Sequence, residues 1–423
     1  MLAVQRSSIG SRGVFLRMST GSMAGYWIRE SIVAHVIGIV GQRSFTPDRS
    51  IALPVGISFF TFQAISYVVD VYRGETRAAS LMDVAILQAF FPHLVAGPIV
   101  RFTDLHRQLR RPVVLLTPRI AAIGLFFLSC GLMKKLLLAD QLSPDVDRLF
   151  ANASELQLVS AWAAAIGYSL QLYFDFSGYS DMAVGLAWLL GFRFPQNFDS
   201  PYKARNISDF WRRWNMTLSA WIRDYIYIPL GGSRRGPTRT ATNLVVTMFL
   251  AGLWHGAAWT FVVWGLIHGT LLAGHAGLRR AGLTPSSVAV NRAVTFAVVV
   301  AAFVVFRAPD LRTAATVLAS MVGLSGIESG AQLDVLLPLE FAVLTAALLV
   351  FVNVAPNTWE IRAAPRARSA SSSSGTRAGG PRCRRGRGRS RRGSWGSRSA
   401  SGPPRLVLTG RVRQAPVGGL PRC

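Results

Sequence analysis

Long uncharged apolar runs dominate the chain. Stretches free of Asp, Glu, Lys and Arg occupy 50–69, 84–100, 120–133, 156–174, 182–192, 240–278, 293–306 and 341–359. A bilayer core of about 30 Å takes about 20 apolar residues when they form a helix. The run 240–278 would reach roughly 58 Å as a helix. That suits two crossings, or one crossing and a re-entrant segment. The shorter runs 120–133 and 182–192 suit re-entrant or tilted segments, or helices extended by their flanks. The pattern predicts about seven to nine membrane segments in an all-α, multi-pass bundle. A soluble core explains one such run but not eight.

The two ends break the pattern. Residues 1–49 carry Arg6, Arg12, Arg17, Arg29, Glu30 and Arg43 and contain no span; Ile28–Val40 reads as an interfacial helix. No clean apolar stretch follows the basic residues, which argues against a signal peptide. Residues 362–423 hold 16 Arg and no acidic residue among Gly, Ser, Ala and Pro. Such a tail cannot bury a core and is expected to be disordered. It suits anionic headgroups, or a shifted reading frame of GC-rich coding sequence, which three Lys against 43 Arg would fit. The expected division is 1–49, an atypical and truncated or misread segment; 50–360, a membrane domain; and 361–423, a tail.

Charge and cysteine content narrow the class. Charged residues make up 16% of the chain, against about 25% in soluble domains. Removing the tail's 16 Arg from the net charge of +26 leaves +10 for residues 1–361. The tail has no folded nucleic-acid motif, so nucleic acid is not an expected partner. Cys130, Cys383 and Cys423 exclude a disulfide scaffold and a Cys-based zinc site. The stretch 200–239 is rich in Lys and Arg and is expected to face the cytoplasm.

Four stretches carry candidate chemistry. In 209–232, Trp214, Leu218, Trp221 and Tyr225 form an apolar helical stripe, and Arg212, Asn215, Ser219 and Arg223 share another face. The spacing predicts one interfacial helix with Trp and Tyr at headgroup depth, stopped by Pro229 and Gly231-Gly232. A basic anchor without a site gives the same pattern. His255 is the first ionisable residue inside the run 240–278, followed by His268 and His275. An intramembrane ionisable group is a functional candidate, and imidazole is the usual base for a hydroxyl near neutral pH. A packing histidine is the competing reading, and the stronger one for His268 and His275. Asp175 and Asp181, with Tyr173, Ser177, Tyr179 and Ser180, suggest a polar cavity or a polar turn at the bilayer edge. Pro92, Gly97 and Pro98 in 91–101 suggest a broken segment, tolerated at membrane depth only against protein or a cavity; 53–63 has the same character. No two His lie at metal-ligand spacing with a third partner, so no metal is expected.

With these motifs in hand the chain resembles the membrane-bound O-acyltransferase family, and within it the bacterial branch of alginate O-acetylation. The likeness rests on 54–63, 70–74, 91–99, 173–183, 209–215, 223–232, 253–256, 306–309 and 356–359, in order and covering about 51–360. The resemblance implies a multi-pass helical fold, with interfacial and re-entrant helices around a membrane tunnel. It implies acyl transfer, most simply of acetyl, from a thioester such as acyl-CoA to a hydroxyl of a bacterial exopolysaccharide such as alginate. The transfer would be direct or through a periplasmic partner, in the bacterial inner membrane, with no bound cofactor. His255 matches the family's catalytic histidine. Asn215 matches its second active-site position, where many bacterial members carry His; Asn can orient substrate or polarise a carbonyl but cannot act as a base. Trp211, Arg212, Arg213, Arg223, Asp175, Tyr173 and Trp254 are the expected substrate contacts, the arginines meeting the donor's phosphates. A transport conduit and a non-catalytic scaffold compete with this reading; the absence of two related halves speaks against a carrier.

Overall fold

A computed structural model describes residues 57–363 except 95, 111–115, 257 and 284. The expectations for 1–49, including the interfacial helix Ile28–Val40, and for the tail beyond 363 lie outside the described residues. Among the described residues every regular element is helical.

The described residues open with α1 (Ile57–Tyr72), α2 (Leu81–Ala89) and a short 3₁₀ turn, Phe91–His93. Pro92 and Gly97-Pro98 keep 91–101 from continuing α2, as the sequence suggests, and α3 (Phe102–Leu109) follows. Thr117 caps α4 (Pro118–Met133). A π turn over Lys134–Ala139 carries α4 into α5 (Asp140–Ala151) without a break.

The next helix, α6 (Leu158–Leu189), runs 32 residues through the core. Its Leu170, Tyr173 and Phe174 pack with Leu142, Val146 and Leu149 of α5. This overturns one expectation. The runs 156–174 and 182–192 are one helix, and Asp175 and Asp181 do not interrupt it. The reason is ion pairing: Lys134 Nζ meets Asp181 at 2.6 Å and Lys135 Nζ meets Asp175 at 2.7 Å. A paired carboxylate can stay on a buried helix that an unpaired one would end.

Glycines bring those partners into reach. A Cβ on Gly131 would sit 2.6 Å from the Gly178 carbonyl oxygen, and one on Gly185 would sit 2.7 Å from that of Gly124. Two glycines seven residues apart on α4 therefore face two seven apart on α6. Small residues permit this close backbone approach where lipid gives helices no hydrophobic reason to associate.

After α6 come α7 (Ile207–Arg213), α8 (Met216–Ile222) and a π turn over Arg223–Tyr227. The continuous helix predicted from 209 is thus broken at Trp214-Asn215. Trp214 is extended and Asn215 is left-handed, at φ 39° and ψ 58°. The stripe residues Trp214, Leu218 and Trp221 are buried among helices.

The run 240–278 forms α9 (Gly236–His255) and α10 (Trp259–Arg280), the pair expected of it. Gly252 and Gly265 lie back to back, with Gly269 against Val245. Then follow α11 (Val288–Arg307), α12 (Leu311–Met321), α13 (Gly330–Leu336), α14 (Leu339–Val354) and α15 (Thr358–Ala363).

Among the described residues three helices are long and apolar enough to cross a membrane: Pro118–Ala151, Trp259–Arg280 and Val288–Arg307. A fourth is added if α13 and α14, bent by 82°, form one span. The seven to nine segments expected from sequence included re-entrant ones. The runs 156–174 and 182–192 merge into α6, the described part of 50–69 lies in a helix of 16 residues, and 84–100 gives one of 9.

Candidate functional site

His255 is the last residue of α9, where the chain turns before α10. Gly256 ends the helix, and a Cβ there would lie 2.8 Å from the Phe261 ring, so only glycine lets that ring close over the turn. His255 is half-buried in an aromatic box. Trp254 lies 4.6 Å away between ring centroids, Phe306 of α11 at 4.9 Å and Trp264 of α10 at 5.2 Å, the last two edge to face. Among the described residues no group hydrogen-bonds either ring nitrogen of His255. An imidazole in an aromatic box without a polar partner has its lone pair and N–H left for a ligand.

Asn215 sits in the break between α7 and α8. It is 5% exposed and its Oδ1 has no hydrogen-bond partner. Its left-handed backbone is held from both sides. Met216 N–H donates to Asn197 O at 2.8 Å, Thr217 Oγ1 donates to Asn197 Oδ1 at 2.8 Å, and Ile99 N–H donates to Thr217 Oγ1 at 2.9 Å. Asn tolerates this conformation better than most residues. The break thus gives a buried carboxamide a fixed place rather than a cap: no side-chain cap bond is made.

Trp211, four residues before Asn215 in the chain, reaches the His255 box. Its ring lies 5.9 Å from Trp264, and Trp264 touches His255. Trp211 Nε1–H also donates to His268 Nδ1 at 3.3 Å. The structure therefore brings Trp211, Trp254, Trp264, His255 and His268 into one cluster on α7, α9 and α10.

The other expected contacts go elsewhere. Arg213 is bound to Asp209 at 3.0 Å and Asp199 at 3.5 Å, and Arg223 to Asp224 at 2.7 Å. Arg212 is exposed. Asp175 pairs with Lys135. Tyr173 packs on Phe198, Tyr202 and Trp214 and lines a narrow polar crevice with Lys134, Ser177, Asp181 and Thr358. None of the contacts of Tyr173 or Asp175 reaches His255.

Two features were not expected from sequence. The first is Trp264 and His268, whose place in the cluster depends on how α10 folds back on α9. The second is a polar clamp that fixes the π turn. Arg101 meets Asp224 at 2.6 Å, Tyr225 Oη–H donates to Asp70 at 2.7 Å, and the Arg73 and Arg101 guanidiniums lie over the Tyr225 ring at 5.4 and 5.3 Å. Burial raises the Asp224 carboxyl, but hydrogen bonds from Arg223 and Arg101 outweigh it and hold the group below its ordinary value.

Comparison with known proteins matches the model of the "MBOAT, membrane-bound O-acyltransferase family" over residues 72–313. The chain is 48% identical over 278 residues to the probable alginate O-acetylase AlgI of Azotobacter vinelandii, covering 64% of this chain and 54% of that protein. It is 45% identical over 273 residues to its namesake in Pseudomonas aeruginosa, covering 62% and 50%. It is 40% identical over 305 residues to a peptidoglycan O-acetyltransferase of Helicobacter pylori, covering 65% and 58%. The chain spans about half the length of the curated relatives it matches. The all-helical fold, the match over 72–313 and these likenesses agree: the chain belongs to the membrane-bound O-acyltransferase family.

Proposed function

We propose that the protein transfers an acetyl group from a thioester, such as acetyl-CoA, to hydroxyls of a bacterial exopolysaccharide at the inner membrane. The observation that carries this reading is His255: a membrane-embedded imidazole with no hydrogen-bond partner among the described residues, boxed by aromatic rings within the family's matched region. In that role His255 takes the proton of the acceptor hydroxyl as its oxygen attacks the thioester carbon. Asn215 Oδ1, a fixed acceptor, orients that hydroxyl. The relatives named for alginate and for peptidoglycan both point to a polysaccharide acceptor, directly or through a periplasmic partner. The expected roles of Trp211 and Trp254 become walls of the site, and Arg212, exposed and without an ion pair among the described residues, is the arginine that meets donor phosphates. The proposed working unit is the membrane domain 50–360.

The test is acetyl transfer by membranes containing the full chain, with radiolabelled acetyl-CoA and oligomannuronate. His255→Ala is expected to abolish labelling while the protein remains in the membrane fraction at its normal level. Label transfer at the wild-type rate by that variant would remove His255 from the chemistry.

A further inference from the structure

Two buried polar atoms in the site's cluster lack partners: Trp264 Nε1 and His268 Nε2. Their residues are 3% and 0% exposed, and their rings lie 4.8 Å apart. Buried polar groups are nearly always hydrogen-bonded, so adjacent orphans call for a ligand. Both are donors.

The donor state of His268 follows from its neighbour. Trp211 Nε1–H can only donate, and it points at His268 Nδ1. Nδ1 therefore carries the lone pair, and the neutral ring has its proton on Nε2. Trp264 and His268 are i and i+4 on α10 and share a face. Their rings are 4.8 Å apart, and Trp264 is 5.2 Å from His255. Glycines lock this face in place, because Gly265 packs on Met248 of α9 and Gly269 on Val245. Two N–H donors are thus held side by side, Trp264 against the candidate base, with no acceptor for either among the described residues.

We propose that Trp264 Nε1–H and His268 Nε2–H bind the carbonyl oxygen of a short acyl thioester and hold its charge during transfer; this rests on the acyl-transfer reading above. The hydroxyl proton passes to His255 as the new O–C bond forms. The carbonyl π pair moves onto oxygen, which then faces the two N–H groups. The C=O re-forms, the C–S bond breaks, and the departing thiolate takes the proton back from His255. Fixed donors in a water-poor site stabilise a developing oxyanion without reorganising. Neither donor gives up its proton, so atoms and charge balance without another reactant.

Trp264→Phe keeps the ring and deletes only the donor. In the purified full chain, with acetyl-CoA and oligomannuronate, it should lower kcat by ~10²-fold while KM for acetyl-CoA stays near wild type. His268→Gln, which keeps an N–H, should retain more activity than His268→Leu. A second readout is the infrared carbonyl stretch of ¹³C-acetyl-CoA bound to the His255→Ala variant. It should lie below the free value, and adding Trp264→Phe should move it back up. Wild-type kcat in Trp264→Phe, or a carbonyl stretch indifferent to it, would overturn the donor pair and leave His255 standing. If the wild-type chain neither binds nor turns over acetyl-CoA, the acyl-transfer reading fails and takes this inference with it.

Discussion

At the scale of single residues, Asn215 separates backbone from chemistry. Its left-handed φ of 39° is one of only two positive values at non-glycine positions among the described residues. Such a conformation costs an ordinary residue about 1–2 kcal/mol. Asn215→Gly relieves the backbone and removes the carboxamide; Asn215→Ala removes the carboxamide and adds strain. Both variants should lose transfer to a similar extent, because both lack the oriented acceptor. Thermal unfolding in detergent should leave the Gly variant within about 1 kcal/mol of wild type and the Ala variant less stable than that. Equal transfer by Asn215→Gly and wild type would make the residue a turn former only. Sequence periodicity placed Asn215 inside a helix. The break was illegible there because it is held by Asn197 and Ile99, which lie far from it in the chain.

Among elements, the α4–α6 contact decides whether two carboxylates can live on a core helix. Lys134 and Asp181 are both nearly buried, and Asp181 also accepts from Thr358 Oγ1 at 2.8 Å. Removing one member of a buried pair leaves the other charge without compensation, at a cost of about 3–5 kcal/mol. Lys134→Met should therefore unfold much earlier than wild type, and adding Asp181→Asn should recover most of the loss. A double variant no better than the single would show that Lys134 acts by packing. The glycines upstream are a second handle. Gly185→Leu would drive a side chain into Leu128 N and Gly124 O, and should cost more than the ~1–3 kcal/mol of ordinary overpacking because the obstacle is backbone. Apolar runs made these helices legible but misplaced their ends. Hydropathy counts Asp175 and Asp181 as breaks, because the lysines that neutralise them lie on another helix, 47 residues away for the Lys134–Asp181 pair.

Across the whole molecule, the sequence made the helical class, the broken 91–101 segment and the α9–α10 pair readable, since each depends on local composition. It did not reveal what holds the π turn against α1, which takes residues from four parts of the chain. Trp221 Nε1–H donates to Phe62 O at 3.0 Å, while Arg101, Arg73 and Asp70 grip Asp224 and Tyr225. This clamp has a pH signature. The Asp224 carboxyl is held below its ordinary value, so the folded state binds its proton less readily than the unfolded chain does. The stabilisation is present above the ordinary aspartate value of about 4. It is lost as pH falls below that value and Asp224 takes up a proton. Hydrogen exchange over 216–232 should therefore quicken as the pH drops through that window, after correction for intrinsic rates. Asp224→Asn should exchange faster at neutral pH and lose the acid dependence. An acid limb that survives intact in Asp224→Asn would place the titrating group elsewhere.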